Sequence, residues 1–177
     1  NDSISTIFED KSIPLRPDVE KRINIAFMTA ESIYRELMQL YIDAGADVNL
    51  VDQNGQTALL FVCENGHSEY AKLLLENGAA ANQSNKDGWT PLISAVSNEY
   101  INISELLISY GANVNSTNAF GETALLKAVY RNNVPLASLL MKSGANIEIE
   151  NSHGDSPLSV AQKKGYSEII KILKMSR

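Results

Sequence analysis

The 177-residue sequence predicts an all-α solenoid of helix-turn-helix units with projecting hairpin-like loops: four clear repeats and a degenerate N-terminal one. Three observations predict it. All ten glycines fall on a frame of 33 residues, a hydroxyl-bearing residue stands two positions after each member of one glycine series, and apolar residues recur at helical spacing ahead of a second series. A period of this size marks stacked supersecondary units, each too small to bury its own apolar face.

The first series is Gly55, Gly88, Gly121 and Gly154. Thr57, Thr90, Thr123 and Ser156 follow it, placed to accept a bond from an orphan N–H of a starting helix. Pro91 and Pro157 then occupy the first helical position, where no N–H is missed. These helices are expected to run about eight residues and to end near Asn65, Asn98, Asn132 and Lys164.

A second helix follows in each unit, with apolar faces at Tyr70, Leu73, Leu74; Ile103, Leu106, Leu107; Leu136, Leu139, Leu140; and Ile169, Ile172, Leu173. Pro135 is tolerable because it lies in the first turn of its helix. Gly45, Gly78, Gly111 and Gly144 supply left-handed caps after such helices. Gly66 and Gly165, 99 residues apart, form the third series. Short alternating stretches such as Asp47-Val48-Asn49 come next, then turns with Asp52, Asn85, Asn118 and Asn151. These side chains bond their own backbone, so the segments read as projecting fingers.

The frame divides the chain into an arm at 1–18 expected to pack in part, a degenerate first repeat at 19–51, repeats at 52–84, 85–117 and 118–150, and a C-terminal capping repeat at 151–177, one domain overall. Ile23, Ala26, Phe27, Ala30, Leu37, Leu40 and Tyr41 suit a capping helix pair, with Arg22 in place of a turn glycine. In the last repeat Ser159, Gln162 and Lys174 stand where earlier units are apolar, as a solvent-facing end requires.

Asp87-Gly88-Trp89-Thr90-Pro91-Leu92, Gly66-His67-Ser68-Glu69 and Leu106 to Asn115 resemble the core motifs of ankyrin repeats, a resemblance that covers residues 52–177 without a gap. It departs from the family pattern after the Thr-Pro-Leu motif, where Leu60, Ile93, Leu126 and Ser159 replace the usual histidine. The resemblance implies a protein-binding concave face built from finger tips and the exposed side of the first helices. Carried over position by position, the partner-binding candidates are Asn65, Lys86, Asp87, Trp89, Asn98, Phe120, Glu122, Tyr130, Arg131 and His153.

Trp, Tyr and Arg are the residue types that dominate interface energetics, so Trp89, Phe120, Tyr130 and Arg131 form an expected central anchor, with an acidic flank toward the N-terminus and a basic one toward the C-terminus. The alternative is that Trp89 and Phe120 lie against each other and stiffen the fingers. The resemblance also implies that Asn49, Asn82 and Asn115 stand where intracellular hydroxylases modify some family members; a turn-forming role is the plainer expectation.

Composition narrows the rest. Net charge is −6; residues 151–177 hold five basic and two acidic residues, net +3, which leaves −9 for the first 150. Nucleic acid is therefore a disfavoured partner. The longest apolar run, Ala58 to Cys63, is far short of the roughly 20 residues that cross a bilayer, so no membrane insertion is expected. No secretory leader pattern opens the sequence, which favours the cytoplasm, or the nucleus of a eukaryotic cell, and gives sequons such as Asn82 and Asn115 little weight. One cysteine and two histidines cannot furnish a zinc cluster.

No catalytic, metal or cofactor-binding set is expected, and no cofactor. The function expected is a non-catalytic protein-interaction module, monomeric, acting as adaptor, scaffold or inhibitor. The alternatives are an accessory interaction domain of a larger enzyme or channel, and a thiol- or metal-dependent enzyme, which would need an exposed, reactive Cys63.

Overall fold

The computed structural model describes residues 33–175. The expectations for the arm at 1–18, for Arg22 and for Ile23, Ala26, Phe27 and Ala30 lie outside the described residues. The chain divides into two compact units, Asn1–Gly45 and Ala46–Arg177. In the first, residues 33–43 are helical and the chain turns through Gly45 at φ +88°.

The second unit holds four helix pairs: α1 (Ala58–Glu64) with α2 (Ser68–Glu76), α3 (Pro91–Ser97) with α4 (Ile101–Ser109), α5 (Ala124–Tyr130) with α6 (Val134–Lys142), and α7 (Pro157–Lys164) with α8 (Ser167–Met175). The described residues form no strand, only the isolated bridges Val51 to Thr57 and Thr117 to Thr123 at the base of two fingers.

Each first helix starts where a hydroxyl caps it. Thr57, Thr90 and Thr123 Oγ1 accept the N–H groups of Leu60, Ile93 and Leu126 at 3.1, 3.2 and 3.1 Å. Ser156 does the same for Ser159, and Ser159 Oγ accepts the Ser156 N–H in return, closing a capping box. Ser159 is thus more than a polar substitution at a solvent-facing position. The third first helix stops earlier than expected: α5 ends at Tyr130, with Arg131 as its cap.

The second helices end in Schellman geometry. In α2 the Gly78 N–H bonds Leu75 O and the Ala79 N–H bonds Leu74 O; Gly111 with Ala112 and Gly144 with Ala145 repeat this after α4 and α6. After the first helices a left-handed residue is also needed, and here the glycine series is incomplete. Glu99 (φ 64°) and Asn132 (φ 52°) take that conformation where Gly66 and Gly165 take it in the other units.

Position 66 differs because a Cβ there would come within 2.7 Å of the Tyr100 ring, whereas beside Glu99 the corresponding neighbour is Asn133, whose amide donates to Glu99 Oε2 at 2.9 Å. Gly66→Ala should therefore cost about 1 to 2 kcal/mol from left-handed strain on an L-residue, with Tyr100 forced aside, read as a lower urea midpoint at unchanged m-value.

Packing follows chain order. Each first helix contacts its own second helix and the first helix of the next repeat, and α2, α4, α6 and α8 contact in sequence. The seam between them is apolar: Leu59, Leu60, Leu92, Ile93, Leu125 and Leu126 from the first helices meet Ile103, Leu107, Leu136, Leu140, Ile169 and Leu173 from the second, all under 2% exposed. In α4, α6 and α8 the outer two of each expected apolar triplet are buried, and Leu106, Leu139 and Ile172 between them are half-buried.

The fingers interlock. Asp52, Asn85, Asn118 and Asn151 Oδ1 each accept two N–H groups, from the residues two and four positions on, at 2.8 to 3.0 Å. That folds each tip flat enough for its backbone to bond the next: Lys86 N–H to Asn54 O (2.9 Å), Ala119 N–H to Asp87 O (2.8 Å) and Ser152 N–H to Phe120 O (2.9 Å). Gly88 is pressed against this join, since a Cβ there would lie 2.9 Å from Ala119 N.

Candidate functional site

Along one side of the second unit the fingers and the C-terminal ends of α1, α3 and α5 enclose an open groove of about 480 Å³. Of the ten predicted residues, Asp87, Trp89, Asn98, Tyr130 and Arg131 line it; Asn65, Lys86, Phe120, Glu122 and His153 lie outside its lining. Gln56, Leu60, Glu64, Asn85, Ser94, Ser97 and Lys127 complete the wall.

Lys127 organises the middle of this groove. Its ammonium lies 2.6 Å from Glu122 Oε2 and 5.1 Å from the centre of the Trp89 ring, so one cation joins two repeats. The pair is largely sheltered, with side-chain exposures of 20% for Lys127 and 14% for Glu122. Asn118 Nδ2 donates to the same Glu122 oxygen at 2.9 Å. Nothing in the family resemblance marks Lys127, but the sequence does carry a signal: it is the one charge in an otherwise apolar stretch, Ala124 to Val129.

Trp89 therefore stands on a cation rather than on a second ring. It is half-buried, Phe120 is 55% exposed on its finger tip, and no ring contact joins the two among the described residues. The stiffening arrangement through Trp89 and Phe120 is not formed.

Burial pushes the Glu122 carboxyl up, but the hydrogen bonds from Lys127 and Asn118 and the Lys127 charge outweigh it and hold the group below its ordinary 4.5. A carboxyl lowered on folding stabilises the native state above its unfolded-state pKa of about 4.3, and that contribution disappears as pH falls through the lower folded value. The difference in unfolding free energy between the parent and Glu122→Gln should accordingly shrink over the acidic interval below the ordinary carboxyl value of about 4.3. A constant difference across that interval would contradict the assignment.

Tyr130, at the far lip, accepts from Asn151 Nδ2 at 2.9 Å and faces Asp155 Oδ2 at 3.5 Å. Burial and the carboxylates of Asp155 and Glu122 push its phenol up, so it stays a neutral donor at physiological pH. Arg131, Asn98 and Asp87 are exposed, and Arg131 and Asp87 form no ion pair among the described residues. Ser97 Oγ is buried in the groove wall with no hydrogen-bond partner.

Asn49, Asn82 and Asn115 do more than shape turns. Their Nδ2 groups donate to Gly78, Gly111 and Gly144 O, and their Oδ1 atoms accept from Ala80, Asn113 and Asn146 N–H. Each amide thus clamps its repeat to the next, 29 to 31 residues on.

Cys63 is fully buried, and burial pushes its thiol up to about 12, the opposite of what a nucleophile or metal ligand requires. The thiol-dependent alternative is overturned by this placement. His67 stands at the start of α2 without a side-chain capping bond, its ring edge-on to Tyr70 at 5.8 Å. Among the described residues no group of three or more His, Cys, Asp or Glu side chains could hold a metal ion, and no helix is long and apolar enough to cross a membrane.

No curated protein matches the chain. A family model described as ankyrin repeats in three copies matches residues 26–118 and 110–176. Such repeats are generally protein–protein interaction modules and typically non-catalytic. The match spans most of the chain and agrees with the helix pairs, capped turns and interlocked fingers above: this chain belongs to the ankyrin-repeat family.

Proposed function

We propose that the chain is a non-catalytic interaction module that holds a protein partner in the groove between its fingers and its first helices, as an adaptor, scaffold or inhibitor. The observation that carries this is the concentration of Trp89, Tyr130 and Arg131, the residue types with the largest interface energies, around one open groove shared by adjacent repeats. Trp89 is held in place by the Lys127 ammonium over its ring, itself fixed by Glu122, so it is presented with little ordering cost on binding. Phe120 extends the apolar surface along the finger tips, with Asn65, Lys86 and His153 as rim positions.

Affinity capture from the source cells, with the Trp89→Ala/Phe120→Ala double variant beside the parent, tests this. A protein retained by the parent and lost by the folded double variant supports the groove as the binding face. A partner retained equally by both would place binding elsewhere on the molecule.

A further inference from the structure

The ends of the first helices form two register columns 33 residues apart: Glu64, Ser97, Tyr130, Lys163 and, beside them, Asn65, Asn98, Arg131, Lys164. Read from α1 to α7, the charge at these ends runs from negative through neutral to positive. All except Ser97 are exposed.

The basic end has a local explanation, because the C-terminus of a helix carries partial negative charge and favours Arg and Lys. Glu64 has none. It ends α1 with the sign the helix dipole opposes, and it forms no ion pair among the described residues, accepting instead from Gln56 Nε2 at 3.1 Å. A side chain that contradicts its local preference without a compensating charge is what a functional position looks like.

The finger wall does not cancel this row. Lys86 and Asp87 share one tip and offset each other, Glu122 is taken by Lys127, and Asp155 faces the Tyr130 hydroxyl. Arg131, Lys163 and Lys164 form no ion pair among the described residues. Along the helix-end row itself the charge is segregated, acidic at α1 and basic at α5 and α7, and Asp155 on the facing finger keeps its charge, in no ion pair among the described residues.

Resting on the concave-face reading above, we propose that the groove takes a linear protein segment in one orientation, with a basic residue over Glu64, an apolar or aromatic residue against Trp89 and Tyr130, and carboxylates over Arg131 and Lys164. Packed helices are about 8 to 10 Å apart, so Glu64 and Arg131, two repeats apart, are separated by roughly 16 to 20 Å. An extended chain at about 3.3 Å per residue covers that in five or six residues.

A random linear peptide library displayed on phage is panned against three proteins: the parent, the swap variant Glu64→Lys/Arg131→Glu/Lys164→Glu, and a control, Lys171→Glu/Lys174→Glu, which changes exposed lysines of α8 outside the row. The parent and the control should enrich peptides with Lys or Arg separated from Asp or Glu by about five residues around an apolar centre. A synthetic, dye-labelled copy of such a peptide should bind the swap variant at least ten-fold more weakly by anisotropy and the control within about two-fold.

Enrichment of peptides without charge segregation, of acid-only peptides, or of nothing would overturn the proposal, as would equal loss in swap and control. If the cellular partner is lost by Trp89→Ala/Phe120→Ala while no bipolar peptide emerges, only this inference fails. If that partner is unaffected, the concave-face reading fails with it.

Discussion

Leu107→Ala should destabilise the repeat array by about 3 to 5 kcal/mol, at the upper end for a buried leucine, because the site has little freedom to collapse. Leu107 is fully buried on α4, which packs on α3 and on both neighbouring second helices, α2 and α6. Nine residues cannot hold a helix alone in water, so α4 exists because of this seam, and a cavity in it weakens the interfaces to both adjacent repeats. Against a total stability of about 5 to 15 kcal/mol such a loss is severe. Tyr110→Ala, one turn on and 43% exposed, should shift stability by less than about 0.5 kcal/mol. Urea unfolding monitored by far-ultraviolet circular dichroism separates the two. Equal effects would mean that the second helices do not share a continuous core.

The second large effect is on binding. Trp89→Ala should weaken partner affinity by about 2 kcal/mol or more, close to 30-fold, since it removes the groove's largest apolar face. Phe120→Ala should weaken it less and leave stability nearly unchanged, because Phe120 is mostly exposed. Lys127→Met separates positioning from contact. It keeps an unbranched side chain of similar reach but leaves Glu122 sheltered without its cation, at a stability cost of about 2 kcal/mol, and it frees the indole to move. Calorimetric titration of the captured partner against each variant reads affinity; urea midpoints read stability. Full affinity in Trp89→Ala would remove Trp89 from the interface.

Features set by a single residue's own backbone were legible in the sequence. The hydroxyl caps at Thr57, Thr90, Thr123 and Ser156, the glycine caps after the second helices and the Asx turns of the fingers all follow from local geometry, and each occurs where its residue type demands it. What escaped was contact between repeats. The finger-to-finger backbone bonds, the clamps from Asn49, Asn82 and Asn115, and the Lys127 cation over Trp89 depend on how far one unit is translated and rotated relative to the next. A 33-residue period reveals that units stack but not by what vector. The same gap explains why the alternative of Trp89 against Phe120 could not be decided from the sequence: Trp89 meets Lys127 of the next repeat instead.

Glu99 and Asn132 qualify the glycine rule usefully. The frame demanded a left-handed residue at both positions, yet neither is glycine. The repeat imposes the conformation on residues with and without a Cβ. A Cβ at Gly66 would push the Tyr100 ring aside, while at Glu99 Asn133 hydrogen bonds the carboxylate.

Hydrogen exchange of the chain with and without its captured partner, resolved to short peptides by mass spectrometry, addresses the groove most directly. Protection should rise at the finger segments around Asn85 to Trp89 and Asn118 to Glu122 and at the ends of α3 and α5, and stay unchanged along the outer faces of α4 and α6. Protection confined to those outer faces, with the fingers exchanging as in the free protein, would contradict the account.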